Sequence, residues 1–254
     1  KYGIQQELYF RPATHIHTSA KIWYQDARRN IPNVLSSEGS SSSFRKNRQD
    51  DRTLKSVLEG AYYGKNYRIN LRSGIDYQNL DYVMSIRYSG QEVIRPVNSG
   101  SRMFSNYNHA GFKRHGERWS LTLRADANHF DISTLDTATQ RGFREERMEY
   151  SLFSGWYFTP WEKLNLLVEL RKDWVPGNAS PLVYNFGLSL KPLDEEELEL
   201  KAAFTRNFHY PGLNDLYWQP GGNPDLQPEE GHTVEAGVHF IKEVGAFSSN
   251  LEIT

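Results

Sequence analysis

The feature that most constrains this chain is a two-residue repeat of apolar and polar side chains, renewed in segment after segment. Over residues 118–128, Trp119, Leu121, Leu123, Ala125 and Ala127 alternate with Arg118, Ser120, Thr122, Arg124, Asp126 and Asn128. A helix would mix the two sets; a strand, whose side chains point alternately to opposite faces, separates them completely. Residues 67–78 repeat the pattern, with Tyr67, Ile69, Leu71, Ile75 and Tyr77 opposing Arg68, Asn70, Arg72, Asp76 and Gln78. So do residues 184–191, 198–205 and 233–240.

With weaker segments added, the alternation predicts twelve strands, at 2–10, 14–26, 51–63, 66–88, 101–112, 117–131, 144–158, 162–173, 182–191, 196–207, 232–241 and 246–254. All 11 prolines then fall between strands or at their junctions, as expected of a residue that cannot donate to a sheet ladder. Connections alternate between short (Arg11–Ala13, Tyr63–Lys65, Lys113–Gly116, Thr159–Trp161, Pro192–Glu195, Lys242–Gly245) and long (Ala27–Asp50, Ser89–Gly100, Ile132–Phe143, Trp174–Pro181, Phe208–Gly231). In an up-and-down meander this sorts tight turns to one end and loops to the other, as in outer-membrane barrels. Several strands exceed the 9–11 residues or so that a tilted crossing needs, so they project beyond the bilayer on one side. The Ser36–Ser43 stretch reads as a solvated loop.

Composition narrows the classes. The net charge of −1 argues against a polybasic nucleic-acid binder, and the absence of Cys removes disulfides, Cys-based metal sites and thiol nucleophiles. No aliphatic run is long enough for a membrane helix, yet aromatics reach 13 %, too many for a disordered chain. Low hydropathy with many aromatics suits a membrane barrel with a polar inner face. No nucleophile elbow, zinc-helix motif or phosphate loop occurs, so the reading is a non-enzyme without cofactor. His15 and His17 have spacing that metal ligation allows, but no carboxylate or third His joins them, and they read as polar wall residues.

Residues 204–231 (FTRNFHYPGLNDLYWQPGGNPDLQPEEG) closely resemble the signature loop of TonB-dependent outer-membrane receptors. The residues that carry the likeness include Phe204, Arg206, Pro211, Leu213, Asp215, Leu216, Tyr217, Gly222, Asn223, Pro224, Leu226, Pro228 and Glu229, with Glu235 and Gly237 on the next strand. Residues 21–32 are similar to a strand–loop junction of the cobalamin-receptor-like branch. The resemblance implies an all-β fold: an antiparallel up-and-down transmembrane β-barrel, partial, with about 12 strands of a parent of about 22. It also implies that this loop is extracellular, that the chain is a middle piece of the barrel without plug or closing strands, and that the setting is the outer membrane of a Gram-negative bacterium.

The partners implied are outer-membrane lipid, TonB acting through a plug segment absent from this chain, and a scarce bulky ligand. Cobalamin is the first expectation and a ferric siderophore or haem the next. Arg206, His209, Tyr210, Asn214, Tyr217 and Trp218 are the candidate ligand contacts. Trp119, Trp156, Phe158 and Trp161 are expected in an interfacial girdle. Leu121, Leu123, Leu164, Leu166, Val168, Leu188 and Phe240 are expected to face lipid, and Arg72, Arg124 and Glu199 the lumen. A passive porin or adhesin barrel, a closed 12-stranded barrel and a soluble all-β protein are the alternatives.

Overall fold

The computed structural model describes residues 1–32, 43–88, 92–193, 197–244 and 247–253. Most of the Ser36–Ser43 stretch and parts of the 192–195 and 242–245 turns lie outside the described residues. The strands are β1 (Tyr2–Ala13), β2 (Ile16–Ile31), β3 (Ser43–Tyr63), β4 (Tyr67–Tyr88), β5 (Ile94–His115), β6 (Trp119–Asp136) and β7 (Arg141–Trp161). They continue as β8 (Leu164–Val175), β9 (Asn178–Ala179), β10 (Val183–Leu190), β11 (Glu197–His209), β12 (Glu229–Val244) and β13 (Phe247–Ile253). Among the described residues a single short helix, α1 (Leu213–Tyr217), lies between β11 and β12.

All pair in one antiparallel sheet in chain order, with the two-residue β9 attached to β8 beside the main path. Twelve strands thus form the meander that alternation predicts. The sheet is not closed: among the described residues β1 pairs only with β2, and β13 only with β12.

Three features differ from expectation. First, β3 starts at Ser43, β5 at Ile94 and β7 at Arg141, and β6 runs on to Asp136. The 132–143 segment is therefore a hairpin tip with four turn residues, not a long loop. Second, Pro12, Pro96 and Pro160 lie inside β1, β5 and β7. Each sits at a register break, between Phe10 and Ala13, between Ile94 and Val97, and between Phe158 and Trp161. A missing N–H is tolerated there because the ladder is already interrupted. Third, β5 spans 22 residues, about 70 Å at the usual rise, far more than a hydrocarbon core of about 30 Å requires.

Cross-strand register fixes which side chains share a face. Leu8, Ala20, Leu58, Ser73, Asn108, Ala127, Tyr150 and Trp174 form one row across eight strands. Leu123, Leu166, Val168, Leu188 and Phe240 lie on that same apolar face, while Arg72, Arg124 and Glu199 lie on the other. The polar face is the enclosed one. Ala27, Ala61 and Ser105 on it are only 8, 7 and 0 % exposed, and Gly74, Gly111 and Gly155 there are buried too. On the apolar face Leu58 and Leu71 remain 61 and 59 % exposed. A core inside the wall is thus nearly absent; the apolar surface is presented outward, as a bilayer-facing wall requires.

Candidate functional site

The enclosed face is tied by cross-strand polar pairs. Lys55 reaches Asp76 at 3.0 Å, Arg72 reaches Glu59 at 2.9 Å, and His109 Nδ1 lies 2.6 Å from Asp126. Further along, Asn185 donates to Glu169 at 2.9 Å and Thr205 donates to Asn185 at 2.9 Å. Arg124 lies over the Phe153 ring at 4.0 Å, an aromatic whose parity with Ser151 and Gly155 places it inside. His17 packs edge-on to Tyr63 at 5.1 Å and His15 sits in the β1–β2 turn. Among the described residues no group of His and carboxylates is arranged to hold a metal.

Above this wall the 208–231 loop folds back across the sheet to β7. Its shape follows from the residue types of the signature. β11 ends at His209, Pro211 follows it, and Gly212 leads into α1, where the Asp215 carboxylate accepts the Gly212 N–H at 3.0 Å. An acid three residues in is the reciprocal half of a helix-start motif. Leu213 is buried, 6 % exposed. The Trp218 N–H bonds to the Asn214 carbonyl, and the Gly222 N–H to the Trp218 carbonyl at 2.6 Å. The Asn223 N–H then returns to the Asp215 carbonyl at 2.9 Å, while the Asn223 side chain accepts the Asp225 N–H at 3.0 Å, an Asx turn. The signature residues Asp215, Gly222 and Asn223 therefore shape the loop.

Three contacts fasten the loop to β7. Arg147 donates to the Pro211 carbonyl at 2.8 Å and pairs with Glu149 at 2.6 Å. The Gln219 side chain accepts the Gly142 N–H at 3.3 Å. Tyr217 packs on Phe143 with ring centroids 6.2 Å apart. From β8, Arg171 points to the Phe208 carbonyl at 3.4 Å while pairing with Asp173 at 3.0 Å. Arg147, Arg171 and Phe143 were not singled out from sequence as loop anchors. The inward parity of Arg147 and Arg171 was readable, but their partners lie 64 and 37 positions away in the chain, and Phe143 fell in the expected 132–143 loop.

Between loop and wall lie two clefts. One, of about 350 Å³, is bounded by Phe130, Arg147, Arg171, Asp173, His209 and Tyr210. The other, of about 760 Å³, runs along Arg124, Glu169, Asn185, Asn207, His209 and Glu229. His209 lines both. The Tyr210 ring stands edge-on to Phe208 at 4.8 Å, and its buried hydroxyl has no hydrogen-bond partner among the described residues. Burial pushes that hydroxyl's pKa up, and the Asp173 and Glu149 carboxylates add to the effect.

The six candidates therefore separate. His209 and Tyr210 line the clefts, and Tyr217 anchors the loop. Asn214 and Trp218 are exposed on the loop surface, Trp218 by 45 %. Arg206, opposite His232, has the outward parity of Phe204; it binds Glu230 at 2.7 Å and borders the larger cleft from that side.

The architecture matches known proteins. The chain is 34 % identical over 74 residues to the "Vitamin B12 transporter BtuB" of Vibrio vulnificus, covering 27 % of this chain and 12 % of that protein. It is 23 % identical over 184 residues to the BtuB of Photobacterium profundum, covering 69 % of this chain and 29 % of that one. The chain thus spans less than a third of either relative. Among solved structures, the RagAB peptide importer in its "open-open" state superposes with a TM-score of 0.64 at 12 % identity, over 94 % of this chain and 38 % of that one. The P. aeruginosa FpvA structure bound to heterologous pyoverdines gives 0.63 at 13 %, over 98 % and 40 %. These two likenesses establish the fold. The sequence profile of the family described as "TonB dependent receptor-like, beta-barrel" matches residues 6–252, and the chain belongs to that family.

Proposed function

We propose that this chain is the ligand-receiving wall of an active-transport receptor in the outer membrane of a Gram-negative bacterium. In this reading the loop end of the sheet faces the exterior and the tight turns face the periplasm. A plug domain from elsewhere in the protein closes the lumen, and TonB supplies the energy that moves it. The observation that carries the reading is the folded-back 208–231 loop, fastened by Arg147 above a polar wall and leaving two clefts lined by His209. A loop so held presents ligand contacts in fixed geometry, which lowers the ordering cost of binding.

The ligand class is a scarce, bulky nutrient. Cobalamin is favoured by the two BtuB relatives, with a ferric siderophore or haem next. His209 and Tyr210 supply donor and acceptor groups at the cleft, and Tyr217 and Trp218 supply aromatic contact area at low entropy cost. Arg206, held by Glu230 at the edge of the larger cleft, adds a cation there. Nothing in this scheme makes or breaks a covalent bond.

The test is equilibrium binding of cobalamin, haem and ferric siderophores to the full-length receptor in detergent. Binding of one of them that weakens on His209→Ala and Tyr210→Phe supports the reading. Binding of none, or binding indifferent to both substitutions, overturns it.

A further inference from the structure

The smaller of the two clefts carries its charges in closed pairs. Arg147 on β7 binds Glu149 at 2.6 Å, and Arg171 on β8 binds Asp173 at 3.0 Å. Each guanidinium also points to a loop carbonyl, Arg147 to that of Pro211 at 2.8 Å and Arg171 to that of Phe208 at 3.4 Å. The side chains of Arg147, Glu149 and Asp173 are only 18, 29 and 20 % exposed, so solvent screens them less than it screens open surface charges. Two guanidinium groups set against two carboxylates leave these four groups with no net charge.

What the cleft still has to offer is specific. The Arg147 Nε–H is buried without an acceptor, and the Tyr210 hydroxyl is buried without a partner, among the described residues. One belongs to the wall and the other to the loop, and both residues border the same space of about 350 Å³. The hydroxyl keeps its proton, because burial and the Asp173 and Glu149 carboxylates oppose its ionisation. A carboxylate offers about four acceptor sites, and a single guanidinium occupies only part of that capacity on Glu149 and on Asp173.

This inventory decides among chemical groups. A carboxylate would accept from Arg147 Nε, but it would bring a third negative charge beside two whose cations are already committed. An ammonium would leave the Nε–H unmet and would meet two guanidinium groups. A methyl group would leave both orphan atoms desolvated and unpaired, which is costly. A primary carboxamide carries no charge, accepts through its oxygen and donates two N–H bonds. The volume is at the small end for ligand sites and suits one arm of a bulky molecule. The body then lies in the adjoining cleft of about 760 Å³, with His209 bordering both.

We propose that the smaller cleft is a subsite for an uncharged carboxamide arm of the ligand and that it rejects carboxylate arms. This rests on the reading of the two clefts as the nutrient site. Within that reading it selects amide-bearing ligands over haem, whose polar arms are propionates, and over carboxylate-bearing iron chelates. A corrin periphery and the side chain of a Gln in a peptide both carry the group, and the test separates them.

Equilibrium binding to the full-length receptor in detergent at neutral pH uses two matched sets. One is cyanocobalamin against its side-chain monocarboxylic acids; the other is a hexapeptide with one internal Gln against its Glu counterpart. Haem and a ferric siderophore are measured beside them. The expected result is that one amide member binds at least tenfold tighter than an acid of its own set, and the set that binds identifies the source. Glu149→Gln and Asp173→Asn should each narrow that ratio at least threefold by admitting the acid, with folding verified by heat-modifiable gel mobility. If neither variant folds, the ratio in the unaltered receptor decides. Equal binding of amide and acid, or a ratio unmoved in the folded variants, overturns this inference and leaves the nutrient-site reading standing. Binding of haem or the siderophore alone does the same. Binding of nothing in the panel overturns both.

Discussion

Replacing Gly222 with Ala should unfasten the signature loop without disturbing the sheet. A methyl group there would lie 2.5 Å from the Trp218 nitrogen and 2.8 Å from the Leu216 and Trp218 carbonyl oxygens. All three are backbone atoms that cannot swing aside. Relief requires the 218–223 turn to open, which breaks the Gly222–Trp218 and Asn223–Asp215 backbone bonds. Each such bond contributes about 0.5–1.5 kcal/mol net, and strain left in the turn costs about 1–3 kcal/mol. The local loss is therefore about 2–6 kcal/mol, equivalent to roughly 30- to 20,000-fold faster exchange of the loop amides. Gly231→Ala is the control, since a methyl group there meets nothing within 4 Å. Hydrogen exchange read by mass spectrometry over 213–226, with β6 and β7 as internal reference, makes the comparison. Exchange in the Gly222 variant equal to that in the Gly231 variant would refute the reasoning.

Four further outcomes are expected. Arg147→Met should release the Pro211 carbonyl and the Glu149 partner, loosening the loop by about 1.5–3 kcal/mol and raising protease cleavage within 213–218 while the sheet stays resistant. Leu123→Arg on the outward face should destabilise the barrel by about 2–4 kcal/mol near the bilayer midplane, measured as a lower urea midpoint of refolding into vesicles. Ser151→Arg, which faces Asp126 and Asp173 on the enclosed side, should cost far less. At the β6–β7 tip, partial burial works to raise the Asp136 carboxyl pKa. The amides of Ala138, Asn98 and Thr139 outweigh it and hold the group below its ordinary value. With the folded pKa depressed, its stabilisation is complete above the ordinary carboxylate range and lost as pH falls through the lowered value. Exchange at the tip should therefore rise in acid, and Asp136→Asn should remove that dependence.

The transmembrane part of the sheet was legible because lipid on one side and water on the other impose strict alternation. Leu121, Leu123 and Arg124 could be assigned by parity alone, and Arg206 would have been, had Phe204 been counted forward. Beyond the apolar band that constraint lapses. Outward Arg48, Asp50 and Arg52 and inward Gln49, Asp51 and Thr53 are polar alike, so β3 reads as loop from 43 to 50 although it continues as strand. What holds it there is pairwise: Arg28 and Arg48 both engage Asp50, partners that the linear sequence does not announce. β9 is two residues long and leaves no periodic trace. In the loop, the turn chemistry of Asn223 and Pro224 was readable. Its anchoring on Arg147 and Phe143 was not, because that depends on a fold-back across the intervening strands.

The most direct test of the receptor assignment is uptake of labelled cobalamin, haem and ferric siderophore by cells expressing the full-length protein, with and without TonB. Accumulation of one of them only when TonB is present, reduced by Tyr210→Phe, is the predicted result. Equal accumulation in both strains would describe a passive pore and contradict the account.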